Sequence, residues 1–304
     1  MRQNRGIRTQ RITPMNHCIK TALLVAALVP LLNQTALAAS FTNSLWLGND
    51  SFVEDGTTLY NVDRAGTVLQ SFPNSPITGV AIDPTTSSIY LSAPPRSGPN
   101  ILFQGIINRY ALNSMVGGVT PVLNGTVPGG DHPYEDMAFN PLDPNHLQRA
   151  NYYNHTYDQI DLTTGGVTQF ASPLGSKGTP MGMAWDGTQF WVSDEFSGGI
   201  YTMTAGGAFS ASPVFTTGFN AGGIAWDSTD ATLWIGTLGF VYHFKTDGSE
   251  LSKFAAPGGK FVDGLEFQGA AVPDPSTWLL CASGFAGLLG YGCRRRQPSG
   301  STFV

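Results

Sequence analysis

Five acidic residues stand where this chain could do chemistry: Glu135 and Asp136, Asp194 and Glu195, and Asp263. Carboxylates gathered on loops are the donor set that hard divalent cations take, Ca2+ foremost, and acids crowded together without a cation raise one another's pKa. The competing reading makes them separate, solvated loop acids of an acidic body. His132 beside Asp131 could serve as a general base. His146 and His155 lie in polar stretches that read as solvated loops, and His243 alternates with Tyr242 and Phe244 as in a strand. The chain has no Gly-x-Ser-x-Gly elbow, no His-Glu-x-x-His and no phosphate-binding glycine loop. It also lacks the regular Thr-x-Thr arrays of a flat ice-binding face.

The elements that must position these acids repeat. Gly-Val-Ala-Ile-Asp (79–83) recurs as Asp-Met-Ala-Phe-Asn (136–140), Gly-Met-Ala-Trp-Asp (182–186), Gly-Ile-Ala-Trp-Asp (223–227) and, degenerately, Gly-Leu-Glu-Phe-Gln (264–268). The anchors Ala81, Ala138, Ala184, Ala225 and Glu266 lie 57, 46, 41 and 41 residues apart. Short β-branched and aromatic strands follow, and glycine turns at 65–66, 117–118, 165–166, 206–207 and 247–248 close hairpins. Four short strands per unit of about forty residues is the arithmetic of a β-propeller blade. The last unit lacks its outer strands, and Leu45-Trp46-Leu47, Tyr60–Val62 and Thr67–Phe72 can supply them. The expectation is therefore an all-β, five-bladed propeller closed by pairing of its N- and C-terminal strands. A β-sandwich leaves the five-fold recurrence unexplained.

On such a fold the inner strands line the axis. Three residues before the anchors stand Thr78, Glu135, Met181, Gly222 and Asp263; two before stand Gly79, Asp136, Gly182, Gly223 and Gly264. Four glycines imply close packing at the axis and make Asp136 the exception. Asp83, Asn140, Asp186 and Asp227 read as turn formers at the far end of the strands.

The ends read as addresses. Of 304 residues, those from 40 to 270 carry 8 basic and 20 acidic side chains, a balance that repels polyphosphate and excludes nucleic acid as a partner. Residues 1–39 read as a signal peptide: a basic start, the apolar run Thr21–Leu32 and the small-residue cleavage pattern Ala36-Leu37-Ala38, with Met15 an alternative start. Residues 40–270 form the propeller. Residues 271–296 combine Val272-Pro273-Asp274-Pro275, an apolar helix with the interfacial Trp278, and the basic stop Arg294-Arg295-Arg296; residues 297–304 follow as a cytoplasmic tail. Thr277–Cys293 is short for a transmembrane helix, at the lower end of the ~17–25 residues a span requires. Cys18, Cys281 and Cys293 all lie in the two ends, so the body holds no disulfide, thiol nucleophile or Cys-based metal site.

The C-terminal pattern resembles the PEP-CTERM sorting signal of Gram-negative bacteria that make exopolysaccharide, a region also catalogued as an ice-binding protein C-terminal domain. Asp274 stands where the family has Glu, and eight residues follow the arginines. The resemblance implies processing by an exosortase after export through signal peptidase, with a membrane-anchored intermediate and a final place at the cell surface or in the exopolysaccharide matrix. The repeats resemble, in pattern only, those of NHL-repeat proteins and regucalcin-like lactonases. Two functions follow as expectations. One is a non-enzymatic recognition or scaffold module for exopolysaccharide or a surface protein, without a catalytic residue or an obligate cofactor. The alternative is a metal-dependent hydrolase or lactonase acting at the acids named above.

Overall fold

The computed structural model describes residues 43–50, 58–73, 77–93, 106–115, 123–128 and 135–269. The expected signal peptide with Ala36 and Ala38, the expected sorting segment (Val272, Pro273, Asp274, Pro275, Arg294, Arg295 and Arg296), Asp131 and His132 lie outside them. No helix among the described residues is long and apolar enough to cross a membrane, and the expected C-terminal helix falls outside them.

Among the described residues, twenty strands form five antiparallel sheets of four. The chain first lays down β1 (Ser44–Asp50), β2 (Thr58–Asp63) and β3 (Val68–Pro73), the outer strands of the composite blade V. Blade I follows with β4 (Gly79–Asp83), β5 (Ser88–Ala93), β6 (Ile106–Ala111) and β7 (Leu123–Pro128). Blade II is β8 (Met137–Phe139), β9 (His146–Asn151), β10 (Thr156–Asp161) and β11 (Val167–Ala171). Blade III is β12 (Pro180–Trp185), β13 (Phe190–Asp194), β14 (Gly199–Met203) and β15 (Phe215–Thr216). Blade IV is β16 (Ile224–Asp227), β17 (Thr232–Thr237), β18 (Phe240–Lys245) and β19 (Glu250–Ala255), and β20 (Phe261–Gln268) then pairs with β1 to complete blade V. The ring closes as the sequence predicts, and closure leaves the inner strands without exposed edges.

The repeat sets the register. Each anchor faces a large or polar partner on the second strand: Ala81–Tyr90, Ala138–Gln148, Ala184–Trp191, Ala225–Trp234 and Glu266–Trp46. Where that partner is Trp, its indole N–H donates to the turn residue two places beyond the anchor. Trp46 reaches Gln268 at 2.9 Å, Trp191 reaches Asp186 at 2.9 Å and Trp234 reaches Asp227 at 3.3 Å. The other carboxylate oxygen of these acids, and the side-chain oxygen of Asp83 and Asn140, accepts the amide two residues on, at 2.7–3.0 Å. Those four residues are turn formers, as expected. Gly66, Gly165, Gly207 and Gly248 take φ between 74° and 87° in the outer hairpins, a backbone state that other residues rarely adopt.

Five apolar clusters lie between blades. Between III and IV, for example, Ala184, Trp191 and Ile200 pack against Ile224, Leu233, Ile235 and Phe244. Between IV and V, Ala225, Trp234 and Val241 pack against Leu45, Leu47, Val62 and Leu265. The inner strands are buried and the outermost ones, β3, β11 and β19, are largely exposed. The core is thus a ring of interblade seams.

Candidate functional site

At the axis, the position occupied by glycine in four blades is the place where adjacent inner strands touch. A Cβ at Gly79, Gly182, Gly223 or Gly264 would run into the carbonyl oxygen of Glu135, Gly222, Asp263 or Thr78 on the next blade. Only blade II carries a side chain there, Asp136, and it is fully buried. Its Oδ1 accepts the N–H groups of Met137 at 2.9 Å, Leu265 at 3.2 Å and Val80 at 3.5 Å; its Oδ2 accepts those of Ile224 at 2.9 Å and Met183 at 3.4 Å. Each donor directly follows one of the five equivalent positions, so every blade contributes one amide. Burial pushes the Asp136 carboxyl well above its ordinary range, while the amides of Ile224, Met137 and Leu265 pull it down. All five contacts are donors, and a protonated acid would find no acceptor among them, so the geometry calls for the carboxylate.

Two residues further along, the pattern repeats with Ala81, Ala138, Ala184, Ala225 and the half-buried Glu266. Glu266 accepts the amides of Phe267 and of Ile82 on the neighbouring blade, burial pushes its carboxyl well up, and its charge raises Asp136 in turn. Glu266 reads in the sequence only as a degenerate anchor; the signal for its role is that one acid interrupts four alanines.

The remaining acids lie on the face formed by the loops between second and third strands and the loops that enter each blade. Asp194, buried, accepts the Thr179 amide at 2.5 Å through Oδ2, and the Ser197 amide and hydroxyl at 3.1 and 2.7 Å through Oδ1, so one oxygen holds the turn after β13 and the other ties it to the residue before β12. Glu135 and Asp263, also buried, precede the axial layer on blades II and V, flanking Thr78 of blade I. Among the described residues, no three His, Cys, Asp or Glu side chains are grouped so that they could hold a metal ion. Asp136 faces backbone amides, and Asp194 faces a turn.

Glu195 is different. It is half-buried and hydrogen-bonded to the Asn220 side chain, and burial with the neighbouring Asp194 charge raises its pKa. Tyr152 of blade II is raised as well, by burial and then by the charge of Glu195. Its ring meets Tyr153 edge-on at 5.3 Å. On the other side, the Asn220 carbonyl accepts the Thr237 hydroxyl at 2.7 Å. A continuous arc therefore runs over blades II, III and IV: Tyr152 and Tyr153, Glu195 and Phe196, Asn220, then Thr237 and Leu238. Tyr153, Phe196 and Leu238 are 45%, 63% and 66% exposed. The sequence signal for the arc is an apolar residue in each loop between second and third strands of these blades, a pattern that the spacing of acids does not carry.

The histidines differ from expectation in part. His146 begins β9 and bonds Asp143 at 2.7 Å, and His155, at φ 55°, bonds the Gly178 carbonyl at 2.5 Å, so both have structural partners. His243 is structural as expected, lying flat on Trp234 at 3.9 Å and bonding Thr232 at 2.6 Å.

No family model matches the chain, and no curated protein matches it in sequence. Among solved structures, one from a nidogen/laminin complex aligns with 73% of this chain and 97% of its own at 11% identity and a TM-score of 0.49. A structural-genomics protein of unknown function from Bacteroides thetaiotaomicron aligns with 75% of this chain and 66% of its own at 13% identity and 0.45. Virginiamycin B lyase from Staphylococcus aureus aligns with 60% of this chain and 56% of its own at 12% identity and 0.39. The five-bladed assignment rests on the strand pairing itself.

Proposed function

We propose that this protein is an exported, exosortase-sorted recognition module. Its propeller presents the Tyr152–Leu238 arc to exopolysaccharide at the cell surface or in the surrounding matrix, and it carries out no catalysis. The observation that carries this reading is the arc itself. Exposed aromatic and aliphatic side chains alternate with a carboxyl and an amide, and sugars are held by such surfaces: apolar C–H faces on rings, hydroxyls on polar groups. The commitment of Asp136 to five backbone amides and of Asp194 to its turn supports the non-enzymatic half. The export, membrane and sorting steps draw on the two ends of the sequence.

The test is affinity electrophoresis of the full chain through gels containing extracted exopolysaccharide. Retardation of the native protein, lost in Phe196→Ala and Tyr153→Ala, is the expected result. Equal mobility of native and variant proteins would sink the assignment. Calcium titration with melting addresses the hydrolase alternative: an ion-dependent rise in Tm would revive it, because a ligand that binds only the folded state stabilises it.

A further inference from the structure

Five amide N–H groups, one from each blade, point at one place on the axis: those of Val80, Met137, Met183, Ile224 and Leu265. In an isolated blade, the inner edge of the first strand would hydrogen-bond to water. Bringing five such edges together and excluding water leaves five dipoles with their positive ends convergent, an anion-binding concavity of the kind successive backbone amides form elsewhere. The glycines at four of the five equivalent positions keep the space clear. One carboxylate serves the whole ring by sharing: its two oxygens offer about four lone-pair directions to five donors, and the contacts to Val80 and Met183 are correspondingly long, at 3.5 and 3.4 Å. A second acid at this level would set two like charges side by side.

We propose that the axis is an anion site built from one backbone amide per blade, that its native occupant is the chain's own Asp136 carboxylate, and that the site emptied by Asp136→Gly accepts a small planar carboxylate such as formate. Asp136 is then an internal ligand tying all five blades together, and the ring cannot open at any seam without breaking at least one of its bonds. Asp136→Gly places at blade II the residue the other four blades already use, so it removes the ligand with little change to the backbone. This inference is independent of the recognition arc, which lies on loops away from the axis.

The experiment uses the purified full chain. Asp136→Gly should melt about 10 °C lower than the native protein, the scale expected for losing a set of charge-assisted bonds in a domain of this size. Sodium formate should raise the Tm of Asp136→Gly saturably, with sodium chloride at matched ionic strength as the control, and should leave the native Tm unchanged. A variant as stable as native protein, or one that formate does not move, overturns the proposal. Should Asp136→Gly not fold, two measurements still decide. Asp136→Asn keeps the shape but turns an NH2 group toward donors, and it must be strongly destabilised; native-like stability overturns the proposal. In native protein, the five amides must exchange hydrogen only through global unfolding. Exchange of any of them at the rate of loop amides overturns it.

Discussion

Acids at the axis and acids at the rim come from neighbouring positions in the sequence and end in opposite circumstances. Asp136 sits beside Glu135, and Glu195 beside Asp194. Asp136 is wholly enclosed, and its partners are backbone donors, one from each of the five blades. Glu195 is half-buried, and its hydrogen-bond partner is the side chain of the exposed Asn220. The difference teaches which acid can do what. A carboxylate whose oxygens are already held by rigid strands stabilises the fold and is closed to a ligand. A carboxylate held by one loop side chain can exchange that partner for a ligand hydroxyl.

The same rule holds within blade II, where it can be broken most severely. At one register position blade III pairs Val192 with Tyr201, and blade II pairs Arg149 with Asp158. The Arg149 guanidinium reaches Asp158 at 2.8 and 3.1 Å, Asn151 and Thr156 add bonds at 2.9 and 2.7 Å, and the two side chains are 4% and 0% exposed. Asp158→Ala leaves a buried guanidinium without its counter-charge and should cost roughly 3–5 kcal/mol in denaturant unfolding. Replacing both members with the blade III residues, Arg149→Val with Asp158→Tyr, should recover most of that. A double variant no better than the single one would show that the pair is more than a substitute for apolar packing.

At the axis, Gly182→Ala is expected to cost about 2–3 kcal/mol, because its Cβ would meet the Gly222 carbonyl, the Ser193 hydroxyl at 2.7 Å and the Ile224 amide at 2.8 Å. Ile224 is one of the Asp136 donors, so its exchange should quicken with the loss of stability. Unchanged unfolding would mean that adjacent inner strands approach less closely than described.

The seam between blades IV and V offers a smaller contrast, read through pH. Arg64 of blade V bonds Asp227 as well as Thr229 and Asp230 at 2.8 Å, and His243 lies within this group, 4.0 Å from Asp230. Burial lowers the His243 pKa below 6.5, partly offset by Asp230. The unfolded chain therefore binds a proton that the folded one refuses between that lowered value and 6.5. Stability should fall as pH drops through this window and level off below it. Melting curves from neutral to acidic pH should show this slope in native protein and a weaker one in His243→Gln; equal slopes would mean the acid sensitivity lies elsewhere.

The ring was legible in the sequence because its cause is periodic: a small residue at the axis in four of five units, then a strand, a polar turn residue and a glycine hairpin in each. Even the completion of blade V followed, since Trp46 falls at the register of Trp191 and Trp234. Asp136 stood out as the exception among glycines, but its chemistry did not follow, because its ligands are backbone amides and every residue has one. Spacing shows which side chains are near one another and is silent on where five main chains converge. Arg149 and Asp158 carry no signal in the sequence for a related reason: nine residues apart, they meet only when β9 and β10 pair.

The rim should respond least in stability and most in binding. Phe196 is 63% exposed, and truncating it removes little buried surface, so Phe196→Ala should shift unfolding by no more than about 0.5 kcal/mol. Loss of an aromatic platform from a binding surface weakens association by more than about 1 kcal/mol where that residue is an anchor, roughly a fivefold or larger change in Kd. Glu195→Gln extends the comparison. It keeps the size and a bond to Asn220 while removing a charge that burial disfavours, so the fold should be unharmed or slightly steadier at neutral pH. If Phe196→Ala unfolds as easily as Gly182→Ala, the arc belongs to the core and the separation of axis from rim collapses. If both rim variants stay folded and only Phe196→Ala loses the polysaccharide, the aromatic face carries the binding and the carboxyl tunes it.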